Sequence, residues 1–281
     1  MMSKTITYYN SGAIPLANAG ELPYDIVNLA FLSSASNNPF KLILSGAIAA
    51  TETSFTAQTV EAIHTMQQNG QRVLISFGGG DMDHNVYYSL SQDPDRLADS
   101  LADFVKDNHL DGIDIDYEDS AAFIANASYD GVQFLVSLTQ ALRKQLPSPR
   151  YYISHAPQPP YLEHGGYMAG YLKIVEQVGE DIDWLNVQFY NNPPWSACPD
   201  QIVSSYMDYI KLPNMSAKKI IAGFPVTAHD AGSGYMPAGT IIQAVIDPIQ
   251  NTTELGGIMN WQFSSDANGD WIKTIKNALK N

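Results

Sequence analysis

Four acidic residues lie together in one short segment of the sequence, residues 111–118 (DGIDIDYE). Side chains alternate along a β-strand, so Asp114, Asp116 and Glu118 would project to one side, with successive members about 7 Å apart. Carboxyl groups buried at this spacing raise one another's pKa and must share protons or hydrogen bonds. A carboxylic acid that stays protonated near neutral pH can protonate the leaving oxygen of a glycosidic bond. The segment therefore indicates acid catalysis on a glycoside.

Two other interpretations of this segment stay open, a solvated acidic loop and a divalent metal site. The apolar residues Ile113, Ile115 and Tyr117 alternate with the acids, which favours a strand with one apolar face over a loop. A metal site needs further oxygen or nitrogen ligands, and the sequence holds no His-Glu-x-x-His motif. Its six histidines are scattered along the chain. We therefore expect no metal and no cofactor.

The acidic segment belongs to a series of short runs that are rich in β-branched and aromatic residues and are bounded by polar, Gly or Pro positions. Strands are predicted at 4–9, 26–32, 72–77, 112–117, 151–155, 184–190, 219–224 and 257–262. Helical periodicity is clearest at 56–69, 95–108, 131–146 and 271–279. The segments 11–20 and 37–39 resemble loops.

Strands that alternate with helices predict parallel pairing, because each strand must return by a crossover. In 281 residues the expected closed form is a (β/α)8 TIM barrel, a single catalytic domain over 1–281. The rival is an open doubly wound sheet, whose Gly-x-Gly-x-x-Gly loop is missing here. Glu118 would then lie nearest the C-terminal rim of the barrel, where active sites of this fold open.

The composition restricts the partners and the compartment. With 15 basic against 29 acidic residues the net charge is −14, which disfavours nucleic acid and membrane surfaces and leaves neutral or cationic substrates open. The single cysteine, Cys198, excludes an internal disulfide and is expected to be inert. No apolar run approaches the ~20 residues that span a bilayer.

The sequence resembles the family-18 glycoside hydrolases, the chitinase family. Residues 111–118 match its signature Asp-x-x-Asp-x-Asp-x-Glu in order and spacing, and 76–79 (SFGG), 188–191 (QFYN) and Trp261 resemble its motifs at the third, sixth and eighth strands. Segments 156–158, 189–194 and 231–235 resemble the short plant and fungal type, the class III or hevamine-like chitinases. The resemblance runs from Tyr8 to Trp261.

This resemblance implies an endo-acting chitinase that hydrolyses β-1,4 bonds between N-acetylglucosamine units with retention. Glu118 would protonate the glycosidic oxygen while the substrate's own 2-acetamido carbonyl attacks the anomeric carbon, giving an oxazolinium ion. Asp116 would orient the acetamido N–H, Asp114 would share a proton or hydrogen bond with Asp116, and the Tyr190 hydroxyl would hydrogen-bond the acetamido oxygen. Glu118, now deprotonated, would activate water.

Further residues are expected to bind the sugar: Trp261, Gln188, Asn191, Tyr8, Phe31, Gly79 and Tyr235. Trp261 would stack under the sugar, and Gln188 and Asn191 would supply hydrogen bonds. Packing in the core is an equal alternative for Tyr8 and Phe31. Tyr235 is either a sugar platform or a loop anchor. Gly79, with Gly78, is expected to permit close approach of the backbone.

Three further features, two residues and one segment, are not part of the expected catalytic set. Asp111 faces away from the acidic row and is expected to support the strand. His155 stands near the rim, where relatives often carry a small residue, and is expected to alter the floor of the cleft. The segment between the last two predicted strands, 225–256, is too short for the α+β subdomain of larger chitinases, so a shallow, open cleft with little processivity is expected.

Two alternative functions stay open. An endo-β-N-acetylglucosaminidase of N-glycan chitobiose cores shares the acid motif but often carries a second Asp where Tyr117 stands. A non-catalytic chitin-binding barrel usually loses an acid, whereas Asp114, Asp116 and Glu118 are all present. The expected partners are chitin or N-acetylglucosamine oligosaccharides, bound by a monomer. The function implies secretion, yet Met1–Lys4 leads into a strand without an apolar signal region, so a cytoplasmic location stays open.

Overall fold

The computed structural model describes residues 3–45, 48–196 and 198–280. Its strands, in chain order, are β1 (Lys4–Tyr9), β2 (Ile26–Ala35), β3 (Asn38–Leu44), β4 (Ala49–Thr51), β5 (Ser54–Phe55), β6 (Arg72–Gly78), β7 (Gly112–Asp116), β8 (Tyr152–His155), β9 (Trp184–Gln188), β10 (Ile220–Pro225) and β11 (Gly257–Trp261). Eight of these pair in the parallel order β1-β2-β6-β7-β8-β9-β10-β11, and β11 returns to β1. The (β/α)8 barrel is confirmed, and its eight strands are the eight predicted ones.

Helices cover the outside of the barrel. They are α1 (Leu16–Gly20), α2 (Ala57–Gln68), α3 (His84–Leu90), α4 (Pro94–Asp107), α5 (Gly131–Gln145), α6 (Gly170–Val178), α7 (Pro199–Tyr209), α8 (Ala238–Ile241), α9 (Asp247–Gln250) and α10 (Asp270–Ala278). A π-helical turn, Ile242–Ile246, joins α8 to α9. The four predicted helices match α2, α4, α5 and α10 within one or two residues. The loop predicted at 11–20 is wrong in its second half, because α1 lies there with Leu16 and Ala19 buried.

The local sequence of α4 shows why these helices form where they do. The Asp93 side chain accepts a hydrogen bond from the Arg96 backbone N–H at 3.1 Å, and Pro94 occupies the first turn, where it needs no hydrogen-bond partner. Such a cap stabilises a helix by about 1 kcal/mol. Leu97, Leu101 and their neighbours on the same face are buried against the sheet and adjacent helices.

The strand β7 alternates as the sequence predicts. Ile113 and Ile115 belong to the apolar core between the sheet and the helices, whereas Asp114 and Asp116 are buried in the lumen of the barrel. Parallel register places Asp114 beside Ser76 of β6 and Ser154 of β8. Polar residues of neighbouring strands therefore meet the acidic row in one layer.

An antiparallel arm extends β2 beyond the barrel. β2 continues to Ala35, and β3 folds back onto it with Leu32 opposite Leu44 and Ser34 opposite Leu42. The loop predicted at 37–39 is wrong for its last two residues, which begin β3. A proline is tolerated here because β3 pairs with β2 alone and lies at the edge of the sheet.

The only regular structure in the last crossover of the barrel, whose residues are all described, is the helical stretch 238–250. Between β10 and β11 all residues are described, and none of residues 226–256 is in a strand. The expected absence of an α+β insertion therefore holds for this segment, and the adjacent side of the barrel mouth has no added wall. Within the described ranges, no helix is long and apolar enough to cross a membrane.

Candidate active site

A cavity of about 520 Å³ opens at the C-terminal ends of the barrel strands. Asp116 and Glu118 lie on its floor, and Tyr190 and Trp261 line it as well. No lysine, arginine or histidine is among the described residues that line it. The described lining therefore places no side-chain cation against the acids. Across the described residues, no group of three His, Cys, Asp or Glu side chains is placed to hold a metal ion.

Asp114 lies deepest and is completely buried. One carboxylate oxygen accepts hydrogen bonds from the hydroxyls of Tyr8 and Ser76, both at 2.8 Å. The other accepts from the Ser154 hydroxyl at 2.6 Å and the Asn186 amide at 3.0 Å. Burial raises the pKa of Asp114, and these four bonds act in the opposite direction. Asp114 is therefore a fixed anchor at the base of the row.

Asp116 and Glu118 are linked by one amide. Gln188 Nε2 donates to Asp116 Oδ1 at 2.9 Å and lies 3.3 Å from Glu118 Oε1. The same nitrogen donates to the Ala156 carbonyl at 3.0 Å, which fixes the orientation of the amide. Gln188 therefore holds both carboxyl groups towards the cavity.

The pKa values of the two upper acids, Asp116 and Glu118, are both raised. Burial raises the pKa of Asp116, and the charges of Glu118 and Asp114 raise it further. Burial also raises the pKa of Glu118, against the opposing hydrogen bonds from Gln188 and Asp116. Because only Glu118 is partly exposed, it is the member of the row that can pass a proton to a bound molecule.

Aromatic side chains form the wall beside the acids. Trp261 stacks on Phe31 with ring centroids 5.9 Å apart and meets Tyr8 edge-on at the same distance. Trp261 and Phe31 line the cavity, whereas Tyr8 is buried below it and reaches Asp114. Tyr190 is almost fully buried, and burial together with the charge of Asp116 raises the pKa of its hydroxyl, which stays protonated as a donor.

Two glycines at the end of β6 allow close packing, Gly78 against the backbone of β7 and Gly79 against the ring of Phe31. A Cβ on Gly78, whose φ is +115°, would lie 2.1 Å from the Asp116 carbonyl oxygen. A Cβ on Gly79, at φ +89°, would lie 3.0 Å from the ring of Phe31. The Gly79 N–H donates to the Asp116 carbonyl at 2.8 Å. The close approach predicted for this pair is present.

Asn191 and Tyr235 behave differently although both were predicted to bind sugar. Asn191 lines the cavity, and its Oδ1 accepts from the Gly232 N–H at 2.7 Å, so it also anchors the 231–235 loop. Tyr235 is exposed and is absent from the described cavity lining. The structure thus brings every predicted site residue except Tyr235 to the cavity or directly beneath it.

His155 is not where the sequence placed it. The prediction that it alters the floor of the cleft is wrong, because His155 is fully buried on the outer face of β8 and contacts α5 and α6. Its ring lies 3.2 Å from the Thr139 hydroxyl and 3.1 Å from the Tyr171 hydroxyl. Burial lowers its pKa to about 3. Side-chain alternation gives the reason, since its neighbour Ser154 is the lumen-facing residue.

Several cavity residues escaped the sequence analysis. They are Ser33, Ser34, Ser36, Ser45, Asp81 and Gln158. The serines lie on the β2–β3 arm or beside it, so only the extension of β2 past its predicted end brings them to the mouth. The polar run 33–38 carries no alternating pattern, so the sequence holds no signal for this extension.

The family assignment agrees with this geometry. The family described as glycosyl hydrolases family 18 matches residues 4–262. The chain belongs to glycosyl hydrolase family 18. The predicted enzyme class, a glycoside hydrolase, is confirmed.

Individual relatives cover most of this family-18 chain. The crystal structure of a family-18 chitinase from Pseudoalteromonas aurantia is 75% identical, covers 99% of this chain and 100% of that chain, and has a TM-score of 0.97. The basic endochitinase of Nicotiana tabacum is 28% identical over 271 residues, 91% of this chain and 84% of its own. The acidic endochitinase SE2 of Beta vulgaris is 30% identical over 217 residues, 73% of this chain and 67% of its own.

Proposed function

We propose that this family-18 hydrolase is an endo-acting chitinase that cleaves β-1,4 bonds between N-acetylglucosamine units with retention. The observation that carries the proposal is the pair of carboxyl groups bridged by Gln188, with Glu118 exposed to the cavity and Asp116 buried behind it. Relatives named chitinase and endochitinase support the substrate class.

The first step breaks the glycosidic bond. Burial raises the pKa of Glu118, which favours its role as the acid that donates a proton to the glycosidic oxygen as the bond to the anomeric carbon breaks. The carbonyl oxygen of the substrate's own 2-acetamido group attacks the same carbon and gives an oxazolinium ion. No enzyme carboxylate forms the covalent bond, as in the substrate-assisted exceptions among retaining glycosidases.

Asp116 and Tyr190 act on the acetamido arm. Asp116 accepts the acetamido N–H and so stabilises the positive charge that develops on the ring. The Tyr190 hydroxyl stays protonated and donates to the acetamido oxygen, which holds this oxygen below the anomeric carbon. Asp114 is fixed by four hydrogen-bond donors and lies beneath Asp116, where it acts as a negatively charged or proton-sharing neighbour.

The second step returns the enzyme to its starting state. The Glu118 carboxylate takes a proton from water, the resulting hydroxide equivalent attacks the anomeric carbon, and the oxazolinium ring opens to restore the acetamido group. The two inversions at one carbon give net retention of the β configuration.

The shape of the mouth favours internal cleavage. The crossover at 226–256, in which no residue belongs to a strand, adds no wall, so a long chain can enter the cleft from the side. We therefore propose endo cleavage with little processivity, by a monomer whose partners are chitin or its oligosaccharides. An insoluble polymer cannot enter a cell, so we also propose that the enzyme works outside the cell.

Replacement of the proton donor tests the proposal. Glu118→Gln is expected to lower glycol-chitin turnover by about 10²-fold or more, since general acid catalysis contributes ~10²–10⁴-fold. Glu61→Gln, an exposed change on α2, is the matched control and is expected to leave turnover unchanged. Retention of more than about a hundredth of wild-type activity in Glu118→Gln would show that another group donates the proton.

Substrate variants separate the remaining functions. An oligomer with glucosamine at the reactive subsite is expected to bind without being cut, because it lacks the acetamido carbonyl. Cleavage there at a comparable rate would reject substrate assistance. Digestion of a high-mannose glycoprotein in place of chitin oligomers would identify an endo-β-N-acetylglucosaminidase, and binding of chitin oligomers without any turnover would identify a non-catalytic barrel.

A further inference from the structure

The backbone that carries Glu118 lies outside the barrel ladder. β7 ends at Asp116, so Glu118 stands two residues beyond the last paired position. The Glu118 carbonyl accepts from the Ser120 N–H at 3.0 Å, a bond within its own turn. A proton donor must be held to a fraction of an ångström, since a 1 Å misplacement can cost about 10²-fold in rate. Contacts other than strand pairing must therefore fix this segment.

The two residues that flank Glu118 are joined through one tyrosine. The Tyr129 hydroxyl donates to Asp119 Oδ2 at 2.6 Å and lies 2.5 Å from the Tyr117 hydroxyl. Burial raises the pKa of both phenols, so each keeps its proton. Because the Tyr129 hydroxyl donates its one hydrogen to Asp119, the Tyr117 hydroxyl must be the donor in its hydrogen bond with Tyr129. Both neighbours of Glu118 thus converge on the same hydroxyl group.

A histidine from the facing wall completes this network. His84 Nδ1 lies 2.7 Å from Asp119 Oδ2, and its Nε2 lies 2.7 Å from the Ser128 hydroxyl. An ionised carboxylate only accepts, so Nδ1 carries the hydrogen. His84 is the first residue of α3 and directly follows Asp83, which lines the cavity together with Asp81. It therefore ties one cavity wall to the segment that carries the proton donor.

We propose that His84 and Tyr129 are positioning residues for Glu118, acting through Asp119 and Tyr117. Neither side chain is among the described residues that line the cavity, so neither is placed to touch substrate. Their hydrogen bonds fix the backbone on both sides of Glu118 and thereby the direction of its carboxyl group. The inference rests on the proposed function, because it takes Glu118 as the general acid.

A misplaced acid has a distinctive kinetic signature. A sugar alcohol is a poor leaving group and needs a proton as the bond breaks, whereas 4-nitrophenolate leaves without one. Loss of position therefore lowers kcat/KM for a chitooligosaccharide far more than for the 4-nitrophenyl glycoside of N,N'-diacetylchitobiose. A residue needed only for folding would lower both values in the same proportion, since it would reduce the amount of active enzyme.

The experiment compares kcat/KM on these two substrates, because kcat/KM reports the first bond-breaking step. His84→Leu removes both ring contacts and is expected to lower the chitooligosaccharide value by about tenfold or more, with a change of less than about threefold on the nitrophenyl substrate. His84→Asn keeps a donor near the Nδ1 position and is expected to recover most of the loss. His64→Leu, an exposed histidine on α2, is the control and should match the wild type.

A second pair of variants tests the tyrosine arm. Tyr129→Phe removes the shared hydroxyl and is expected to show the same selective loss. Tyr88→Phe is its matched control, because Tyr88 is exposed on α3, packs 6.3 Å from the Tyr129 ring between centroids, and makes no side-chain hydrogen bond among the described residues. Both Phe variants retain the aromatic packing, so the hydroxyl group alone is tested.

The outcomes separate this inference from the proposed function. Equal losses on both substrates, or wild-type values for His84→Leu and Tyr129→Phe, would overturn the positioning role even if Glu118→Gln is inactive on the chitooligosaccharide. Full activity of Glu118→Gln on that substrate would instead overturn the assignment of the acid itself. Recovery in His84→Asn together with a selective loss in His84→Leu would support the inference.

Discussion

The two ends of β7 carry the same residue type in opposite settings. At the N-terminal end, Asp111 accepts from the Val73 N–H at 2.9 Å and the Gln67 amide at 3.0 Å, and two guanidinium groups approach it. Arg72 Nη1 lies 3.4 Å and Arg150 Nη1 3.8 Å from Asp111 Oδ1. With these partners, the Asp111 side chain joins β6 and α2 to the start of β7 and so supports the fold.

At the C-terminal end, none of the described residues that line the cavity is such a cationic partner. The described lining of the cavity contains no basic side chain, and a neutral amide from Gln188 joins Asp116 to Glu118. Burial without a counter-charge favours the protonated form, which is what proton transfer to a sugar oxygen requires. The difference teaches that the neighbours of each acid, contributed by other strands, decide whether it supports the fold or performs chemistry.

The largest expected effect sharpens this comparison by removing one acid from the C-terminal end, the proposed catalytic end. Asp116→Asn is expected to lower kcat on chitooligosaccharides by about 10²–10³-fold, the usual effect of deleting one preorganised electrostatic group. Its urea midpoint is expected to stay at or above that of the wild type, because an amide is cheaper to bury than a carboxylate beside two others. A stability loss that accounts for the inactivity would contradict the assignment.

A smaller effect is expected from the opposite end. Asp111→Ala leaves the buried N–H of Val73 without its acceptor and removes one of the two acceptors of the Gln67 amide, so the free energy of unfolding is expected to fall by about 1–3 kcal/mol. Urea unfolding measures this change. The kcat of the folded variant at 25 °C should equal that of the wild type, and a large fall in kcat would show that the two ends are not separate.

The smallest effect is the pH dependence of stability. Burial raises the native pKa of Asp114, Asp116 and Glu118 above their values in the unfolded chain. The native state then holds protons that the unfolded chain releases, so this contribution is complete below about pH 4 and is lost as pH rises towards the native pKa values. Each such proton gives a slope of at most about 1.4 kcal/mol per pH unit. Urea unfolding from pH 4 to 7 should show a flatter slope for Asp116→Asn, and identical slopes would refute it.

Strands and helices could be predicted from the sequence wherever the hydrophobic pattern matched the burial of those residues in the folded barrel. The eight barrel strands and helices such as α4 have their apolar positions at the period of the structure they form, so local reasoning located them. The β2–β3 arm could not be predicted from the sequence, because Pro39 and the polar run 33–38 are typical of a loop. Pro39 fits a strand here only because β3 lies at the edge of the sheet, where its missing backbone N–H is not needed for pairing. The prediction placed the His155 side chain on the lumen side of β8, whereas the lumen-facing residue is its neighbour Ser154.

The sequence by itself determined that Asp114 and Asp116 point to one side of β7, because a period of two on a strand is a local property of the backbone. Only the tertiary structure decided what those acids do. Their partners come from positions as far apart as Tyr8 and Asn186, and the serines and Asp81 reach the mouth only when the barrel closes. Local periodicity sets the direction of a side chain, whereas its charge state depends on burial and on neighbours that the chain brings together by folding.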